Sequence, residues 1–403
     1  TITGVESLGR GRWAEVSFSS TPSDWAVRTA AESSPAVLAF EPNAVYRTDR
    51  IPDDASFGRE WQLDNTGQNV PGSGVGVVGA DPNMLEAWDI TIGSRDVAIA
   101  VIDTGVDLQH PDLMANIYVN PGEIPGNGID DDGNGFIDDV NGWDFGESDN
   151  DPDDEAGHGT AVAGTLGAVG NNGIGVAGVN WDVSIVPIKI ADQFGRLSTS
   201  AIVAGHDYLT MTITDFGQNI VASNNSYGAF VPSFYLDEFP EGFAGEQEAI
   251  ERFIATGASF VASAGNDAND NDEIFTNYPA SYPIPGIISV AASDNKDALA
   301  GFSNYGASEV DLAAPGEQVY TTFNGGSYGY ISGTSFSGPY VAGAVGLLKA
   351  FRPNASAVEI RQALLDSVDV LPSFQGRVVS GGRLNMERAL QVIGTDGPIA
   401  VGF

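Results

Sequence analysis

Four short apolar runs indicate strands that are buried on both faces. They lack the alternation of apolar and polar positions that a half-exposed strand shows, and this is typical of parallel sheets covered by helices. The runs are 97-VAIAVID-103, 183-VSIVPIKI-190, 258-ASFVASAGN-266 and 286-GIISVAAS-293.

Helical segments alternate with these runs. Strands that alternate with helices form βαβ crossovers, so the pattern predicts an α/β domain with a parallel sheet. Ligands of such sheets bind at the carboxyl ends of the strands. The predicted helices lie near 160–168, 198–210, 245–256, 336–350, 356–367 and 385–392.

The first 50 residues follow a different pattern. An alternating strand at 12–20, a short helix within 22–33 and an apolar stretch at 36–40 predict a small α+β segment at residues 1–50. Residues 51–57 are polar and contain a proline, which predicts a linker, and residues 58–403 then form the main domain.

Composition narrows the classes of function. The net charge of −37 and the pI near 4.1 exclude nucleic acid as a partner, because a phosphate backbone would be repelled. Such acidity suits a salty medium, a protein that collects Ca²⁺, or solubility alone. The chain has no cysteine, which excludes disulfides and a thiolate nucleophile, and no apolar run long enough for membrane insertion.

A serine and a histidine are the first candidates for chemistry. Ser335 follows the strand-like 328–332 and precedes a helix, where free backbone N–H groups would favour an oxyanion, although an ordinary helix cap has the same pattern. Of the three histidines, His158 lies between two glycines. His206 lies in a predicted helix and His110 in a predicted turn.

A histidine that acts as a base also needs an acid that orients it. Asp103 ends a buried apolar strand, where a carboxylate is costly unless it has a partner. A turn or a helix cap is the alternative role for Asp103.

Four stretches that contain these residues resemble the signatures of the subtilisin-like serine peptidases, in that family's order, across roughly residues 57–395. The resemblance implies a three-layer α/β/α sandwich with a mostly parallel central sheet, and an endopeptidase that works through an acyl-enzyme. The stretches are 101-VIDTGVDLQHPDL-113, 157-GHGTAVAGT-165, 261-VASAGN-266 and 332-SGTSFSGPYVAGA-344.

The same resemblance assigns the catalytic roles. It implies that Ser335 is the nucleophile, that His158 is the general base and then acid, and that Asp103 orients the imidazole. It implies that Asn266 donates a hydrogen bond to the oxyanion, together with the N–H of Ser335.

Substrate contacts also follow from the resemblance, which implies that two strand ends bind an extended peptide. Phe336 stands where the family usually has methionine, and Tyr227 where a smaller residue is frequent, so the preferred cleavage site stays open. The implied contact residues are Ser226, Tyr227, Gly228, Ser263, Ala264 and Gly265.

The segment 126–145 predicts a structural Ca²⁺ site. Asp130, Asp132 and Asn134 have the spacing of an EF-hand loop, but Asn141 stands where that loop has its glutamate. Other ligands would then be the Phe136 carbonyl and Asp138 or Asp139; the alternative is a solvated acidic turn.

Further calcium ligands follow from the resemblance. It implies a second site at Asp112, Asn172 and the carbonyls of Ile174 and Val176. The acidic stretch 149–154 is either a third site or an ordinary loop.

Residues 1–50 resemble the end of the family's propeptide, so the N-terminal segment is expected to act as an inhibitor or chaperone of a secreted enzyme; an accessory unit is the alternative. Two other functions stay open. One is a catalytically silent binding protein on the same fold, and the other is a serine-carboxyl peptidase, which the motif around His158 disfavours.

Overall fold

The computed structural model describes residues 2–8, 13–18, 50–232, 234, 238 and 243–394. The chain divides into two compact units, Thr1–Thr48 and Asp49–Phe403. In the smaller unit, β1 (Ile2–Leu8) pairs antiparallel with β2 (Trp13–Phe18), which confirms the strand predicted there. The predicted helix within 22–33 and the apolar stretch at 36–40 lie outside the described residues.

The larger unit is built on a nine-stranded sheet with the order β16-β17-β13-β12-β10-β8-β5-β7-β6. All neighbouring strands in it are parallel except β16 and β17, which pair antiparallel. Three two-stranded ribbons, β3–β4, β9–β11 and β14–β15, lie outside this sheet. The strands are β3 (Asn69–Val70), β4 (Gly74–Val75), β5 (Gly93–Asp103), β6 (Trp143–Asp144), β7 (Asp182–Lys189), β8 (Ile220–Asn225), β9 (Ala229–Pro232), β10 (Ser259–Ser263), β11 (Phe275–Tyr278), β12 (Ile287–Ser293), β13 (Leu312–Pro315), β14 (Val319–Phe323), β15 (Ser327–Ile331), β16 (Asp369–Val370) and β17 (Gly382–Arg383).

In the described part of the larger unit, the helices confirm all six predicted segments and include a short one, α1, which was not predicted. None of the helices in the described part of the chain combines the length and the apolar character needed to cross a bilayer. The helices are α1 (Met84–Ile90), α2 (His158–Gly167), α3 (Thr199–Thr214), α4 (Ala244–Ala255), α5 (Thr334–Phe351), α6 (Ala357–Asp366) and α7 (Met386–Gly394).

Two apolar cores cover the two faces of the sheet. Along β5, Ile99 and Val101 belong to the core that contains α1, α2, α5, α6 and α7. Ala100 and Ile102 belong to the core that contains α3 and α4. Successive side chains of a strand point to opposite faces, so a strand with helices on both sides must be apolar throughout. The fold is therefore the predicted three-layer α/β/α sandwich.

The segment predicted as a linker lies in the larger unit from its first residue. Pro52 and Asp54 are buried, and the Ser56 N–H donates to the Gly175 carbonyl at 2.8 Å. A 3₁₀ helix then begins at Phe57. These contacts tie the segment to the loop around residue 175.

His206 is a buried histidine in α3. Its Nδ1 lies 2.9 Å from the Ile202 carbonyl oxygen, which can only accept, so Nδ1 carries the proton. The ring stacks on Phe260 with centroids 5.3 Å apart. Burial lowers the pKa of His206 to about 4, because a charged imidazole would lose its hydration there.

We expect His206 to make the fold sensitive to acid. The unfolded chain binds this proton near pH 6.5, whereas the folded chain binds it only near pH 4. The stabilisation is therefore complete above about pH 6.5 and is lost as the pH falls to about 4, a loss on the order of 3 kcal/mol. Thermal unfolding of the inactive Ser335→Ala chain, with and without His206→Phe, measures it. The free energy of unfolding of the chain with His206, minus that of the His206→Phe variant, should decrease as the pH falls. A difference that stays constant would contradict the assignment.

Candidate active site

The candidate catalytic residues stand at the ends of three elements of the larger unit. Asp103 is the last residue of β5, His158 is the first residue of α2, and Ser335 is the second residue of α5. Asn266 follows β10, a strand parallel to β8, which is itself parallel to β5. All of them lie on the side of the sheet where the parallel strands end.

Asp103 and His158 form a direct hydrogen bond. His158 Nδ1 lies 2.7 Å from Asp103 Oδ1, which also accepts the Thr104 N–H at 2.7 Å. Asp103 is 3% exposed, whereas the His158 side chain is 35% exposed. A carboxylate acceptor fixes the proton of a neutral imidazole on Nδ1, which leaves Nε2 as a base toward solvent.

Gly159 allows this bond because it lets α2 begin directly against β5. A Cβ atom at Gly159 would lie 2.0 Å from the Gly105 carbonyl oxygen and 3.1 Å from Asp103 Cβ. Any larger residue would separate the helix from the strand. The glycine after His158 in the sequence motif thus has a steric cause.

The charge of Asp103 stabilises protonated His158. Burial lowers the pKa of His158, but the Asp103 charge, the hydrogen bond that His158 donates to that carboxylate and the charge of Asp154 together raise it above its ordinary value. The imidazolium form is therefore favoured relative to a histidine in water.

Ser335 makes no hydrogen bond to His158 among the bonds of the described residues. Ser335 Oγ lies 3.4 Å from the Ser226 carbonyl oxygen, at the long end of the hydrogen-bond range. The Ser226 hydroxyl donates to the Ser335 carbonyl at 2.8 Å. The next residue, Phe336, brings its ring to 5.5 Å from the His158 ring.

Asn266 has an oriented side-chain amide. Its Oδ1 accepts the Thr334 N–H at 2.8 Å and the Thr334 hydroxyl at 3.0 Å, so its Nδ2 group is the end left for another partner. The side chain is exposed. The N–H of Ser335, in the first turn of α5, has no acceptor within the helix. The Asn266 amide is thus held by Thr334, the residue that precedes Ser335.

The predicted substrate residues lie at the ends of two neighbouring parallel strands. Ser226, Tyr227 and Gly228 follow β8, while Ser263 ends β10 and Ala264 and Gly265 follow it.

Between these strand ends stands Asn277, which sequence reasoning missed. Its Nδ2 donates to the Ser263 carbonyl at 3.2 Å, and its amide would meet a Cβ at Gly228 at 2.5 Å. Nothing in the local sequence distinguishes Asn277 from a buried strand residue of β11.

The acidic loop forms a compact carboxylate cluster. Oxygens of Glu123, Asp130 and Asp132 lie within 4.8 Å of one another. Glu123 was missed because it precedes the EF-hand spacing.

The other acidic residues of this loop accept hydrogen bonds from neutral groups. Asp139 is fully buried and accepts from Asn120, Asn134 and Tyr208. Asp138 accepts the N–H groups of residues 127 and 128. The Asn134 amide also donates to Asp132, at 3.3 Å.

A second group of carboxylates surrounds Asp112. Asp112 is fully buried and accepts the Asn172 amide at 2.7 Å and the Val176 N–H at 2.8 Å. Gly175, between Ile174 and Val176, lies so close that a Cβ on it would be 2.0 Å from Asp112 Oδ2. The loop 172–176 therefore wraps around this carboxylate.

Two further acids near Asp112 were missed because they lie in or beside the predicted linker. Asp54 accepts the Asn171 N–H at 2.6 Å, and Glu60 accepts the Ala177 N–H at 3.0 Å. Burial and the Asp112 charge raise the pKa of Asp54 to about 6, and burial also raises the pKa of Asp112 and Glu60.

Fold and site together define a serine peptidase of the subtilisin type. Residues 94–390 match the model of the Subtilase family, and the chain belongs to this family. It is a subtilisin-like serine endopeptidase.

Similar proteins support this assignment along most of the chain. Thermitase from Thermoactinomyces vulgaris is 35% identical over 306 residues, which cover 76% of this chain and 92% of thermitase. The thermophilic serine proteinase of Bacillus sp. (strain AK1) is 32% identical over 366 residues, 91% of this chain and 75% of the relative. A solved protease from Pseudoalteromonas arctica PAMC 21717 superposes with a TM-score of 0.65 at 27% identity, over 85% of this chain and 99% of that structure.

Proposed function

We propose that this chain hydrolyses internal peptide bonds of proteins through an acyl-enzyme on Ser335, with His158 as the base and Asp103 as its orienting acid. The observation that carries the proposal is the 2.7 Å bond between His158 Nδ1 and Asp103 Oδ1, which leaves Nε2 unprotonated.

The reaction begins with a rotation of the Ser335 hydroxyl. Oγ leaves the Ser226 carbonyl oxygen, gives its proton to Nε2 of His158 and attacks the peptide carbonyl carbon. Hydrogen bonds of this kind are often loose before substrate binds. His158 then gives the proton to the departing amine as the C–N bond breaks, and a water molecule hydrolyses the ester by the same steps.

The oxyanion is stabilised by two fixed donors, the Nδ2 group of Asn266 and the N–H of Ser335. Because Thr334 holds the other end of the Asn266 amide, this donor needs little reorganisation during the reaction. Removal of such a donor costs roughly a hundred- to thousandfold in rate.

Substrate binds as an extended strand along residues 226–228, opposite residues 263–265. Main-chain hydrogen bonds give affinity in this mode, and pockets between the strands select side chains. Asn277 contacts both segments, so it would limit the room for a substrate side chain between them.

Two structural Ca²⁺ ions fit the acidic groups. Glu123, Asp130 and Asp132 supply carboxylate oxygens, and no lysine or arginine of the described residues pairs with them. Asp112 and Asp54, with the Asn172 side chain and the Ile174 and Val176 carbonyls, would supply the oxygen ligands of the second ion, the kind that hard cations prefer. Each ion would offset carboxylate repulsion and would take no part in the reaction.

The N-terminal unit is proposed to be a propeptide that inhibits or assists folding of the enzyme and is removed from a secreted product. This proposal rests on the family resemblance of residues 40–47 and on the division of the chain after Thr48.

Replacing the nucleophile tests the function. Ser335→Ala should keep the fold and lose hydrolysis of denatured protein by several orders of magnitude, because the triad acts as a unit. A fluorophosphonate should label the wild type and not this variant. The control Ser332→Ala alters a neighbouring exposed serine and should keep both properties.

Undiminished hydrolysis by Ser335→Ala would exclude Ser335 as nucleophile. Absence of hydrolysis in the wild type would favour a binding protein, and activity confined to acid pH would favour a serine-carboxyl peptidase.

Calcium removal should lower thermal stability. An ion that binds only the folded chain contributes about 2.7 kcal/mol at a hundred times its Kd. Melting curves of the Ser335→Ala chain in EDTA and in millimolar Ca²⁺ measure the effect. Asp112→Asn and Glu123→Gln should each reduce the difference, while Glu251→Gln on the exposed surface of α4 should not. Identical melting curves for the Ser335→Ala chain in EDTA and in Ca²⁺ would exclude both calcium sites.

Maturation should cut the chain between residues 47 and 51, because Pro52 and Asp54 are buried in the larger unit and are closed to a protease. N-terminal sequencing of active enzyme decides this. Active protein that still begins at Thr1 would contradict removal of the unit.

A further inference from the structure

The segment just before His158 contains a buried carboxylate, Asp154, which is 4% exposed. Its Oδ1 accepts the Thr104 hydroxyl at 2.9 Å and the N–H groups of Ala156 and Gly157 at 2.9 and 2.8 Å. Its Oδ2 accepts the Thr160 N–H at 2.9 Å and the Thr160 hydroxyl at 2.7 Å. Both oxygens are thus occupied by protein donors, which favours the loop interpretation of this end of 149–154 over a third cation site.

Asp154 joins the two elements that carry the acid and the base. The Thr104 hydroxyl, which donates to Asp154, accepts the Gly159 N–H at 2.9 Å. Thr104 is the neighbour of Asp103 along the chain, and Gly159 is the neighbour of His158. The hydrogen bonds through Asp154 and Thr104 therefore form a second link between β5 and α2, in addition to the direct bond between Asp103 and His158.

The contacts require a carboxylate at position 154. Each oxygen of Asp154 faces at least one backbone N–H, and a backbone N–H cannot reverse its direction as a hydroxyl can. An asparagine would turn its NH₂ group toward one of these donors and leave a buried N–H without an acceptor.

Two negative groups act on His158 from different elements. Asp103 reaches it from β5 and Asp154 from the segment before α2, whereas Phe336 from α5 is uncharged. The charges of both carboxylates favour a protonated imidazole, which is the form that His158 takes during the proposed reaction.

We propose that Asp154 is a positioning residue of this peptidase, which holds the first turn of α2 against the end of β5 and stabilises the His158 imidazolium. The proposal rests on the proposed function in assigning His158 as the base. Asp154 itself does not touch the reacting atoms.

An NMR titration tests the electrostatic part without any need for activity. In the Ser335→Ala chain, Asp154→Asn should lower the pKa of His158, because a raising charge is removed, so the imidazole signals should titrate at lower pH. The control Asp151→Asn removes an equal charge from an exposed position of the same loop and should leave the titration nearly unchanged. An unchanged pKa in Asp154→Asn, or an equal shift in Asp151→Asn, would overturn the proposal.

The kinetics of two Thr104 variants test the positioning part of the proposal. They can be measured even if Asp154→Asn does not fold. Thr104→Val removes the link between Asp154 and Gly159, so kcat should fall by up to about a hundredfold with little change in KM. Thr104→Ser keeps the hydroxyl and should restore kcat. Wild-type kcat in Thr104→Val, or equal losses in both variants, would overturn the proposal. If the wild type itself hydrolyses nothing, the proposed function is wrong. The NMR titration would still show whether Asp154 raises the pKa of His158.

Discussion

The site depends on one close contact, the approach of the first turn of α2 to the end of β5. Gly159 meets the Gly105 carbonyl with no room for a Cβ atom, and this proximity lets His158 bond to Asp103. Asp154 and Thr104 link the same two elements through further hydrogen bonds. A strand end and a helix start are rigid, so they orient the imidazole more accurately than a loop would.

Electrostatics impose the second constraint. The chain carries a net charge of −37, and several of its carboxylates are buried rather than solvated. The structure manages them in different ways. Asp154 and Asp139 are surrounded by neutral donors, Asp103 faces His158, and the groups around Asp112 and Glu123 combine carboxylates whose repulsion a cation would relieve. Each of these buried carboxylates therefore has hydrogen-bond donors, a histidine or a candidate cation as its partner.

The sequence determined the layers of the fold and the motif residues. A strand with helices on both faces must be apolar throughout, so the run ending at Asp103 could be recognised as a central strand without any structure. Small residues around His158 and Ser335 reflect local steric needs, which leave a signal in the sequence. The short helix α1 escaped because a segment of 7 residues carries too little periodicity to be recognised.

Only the tertiary structure decided which distant groups meet. Glu123 joins Asp130 and Asp132 from outside the loop spacing, and Asp54 reaches the region of Asp112 from a segment that composition predicted to be a linker. Asn277 and Asp154 are likewise ordinary residues in their local sequence. Their roles come from contacts between segments far apart along the chain, or from the direction in which a buried side chain points. Local composition and periodicity encode burial and element type, but they do not encode these pairings.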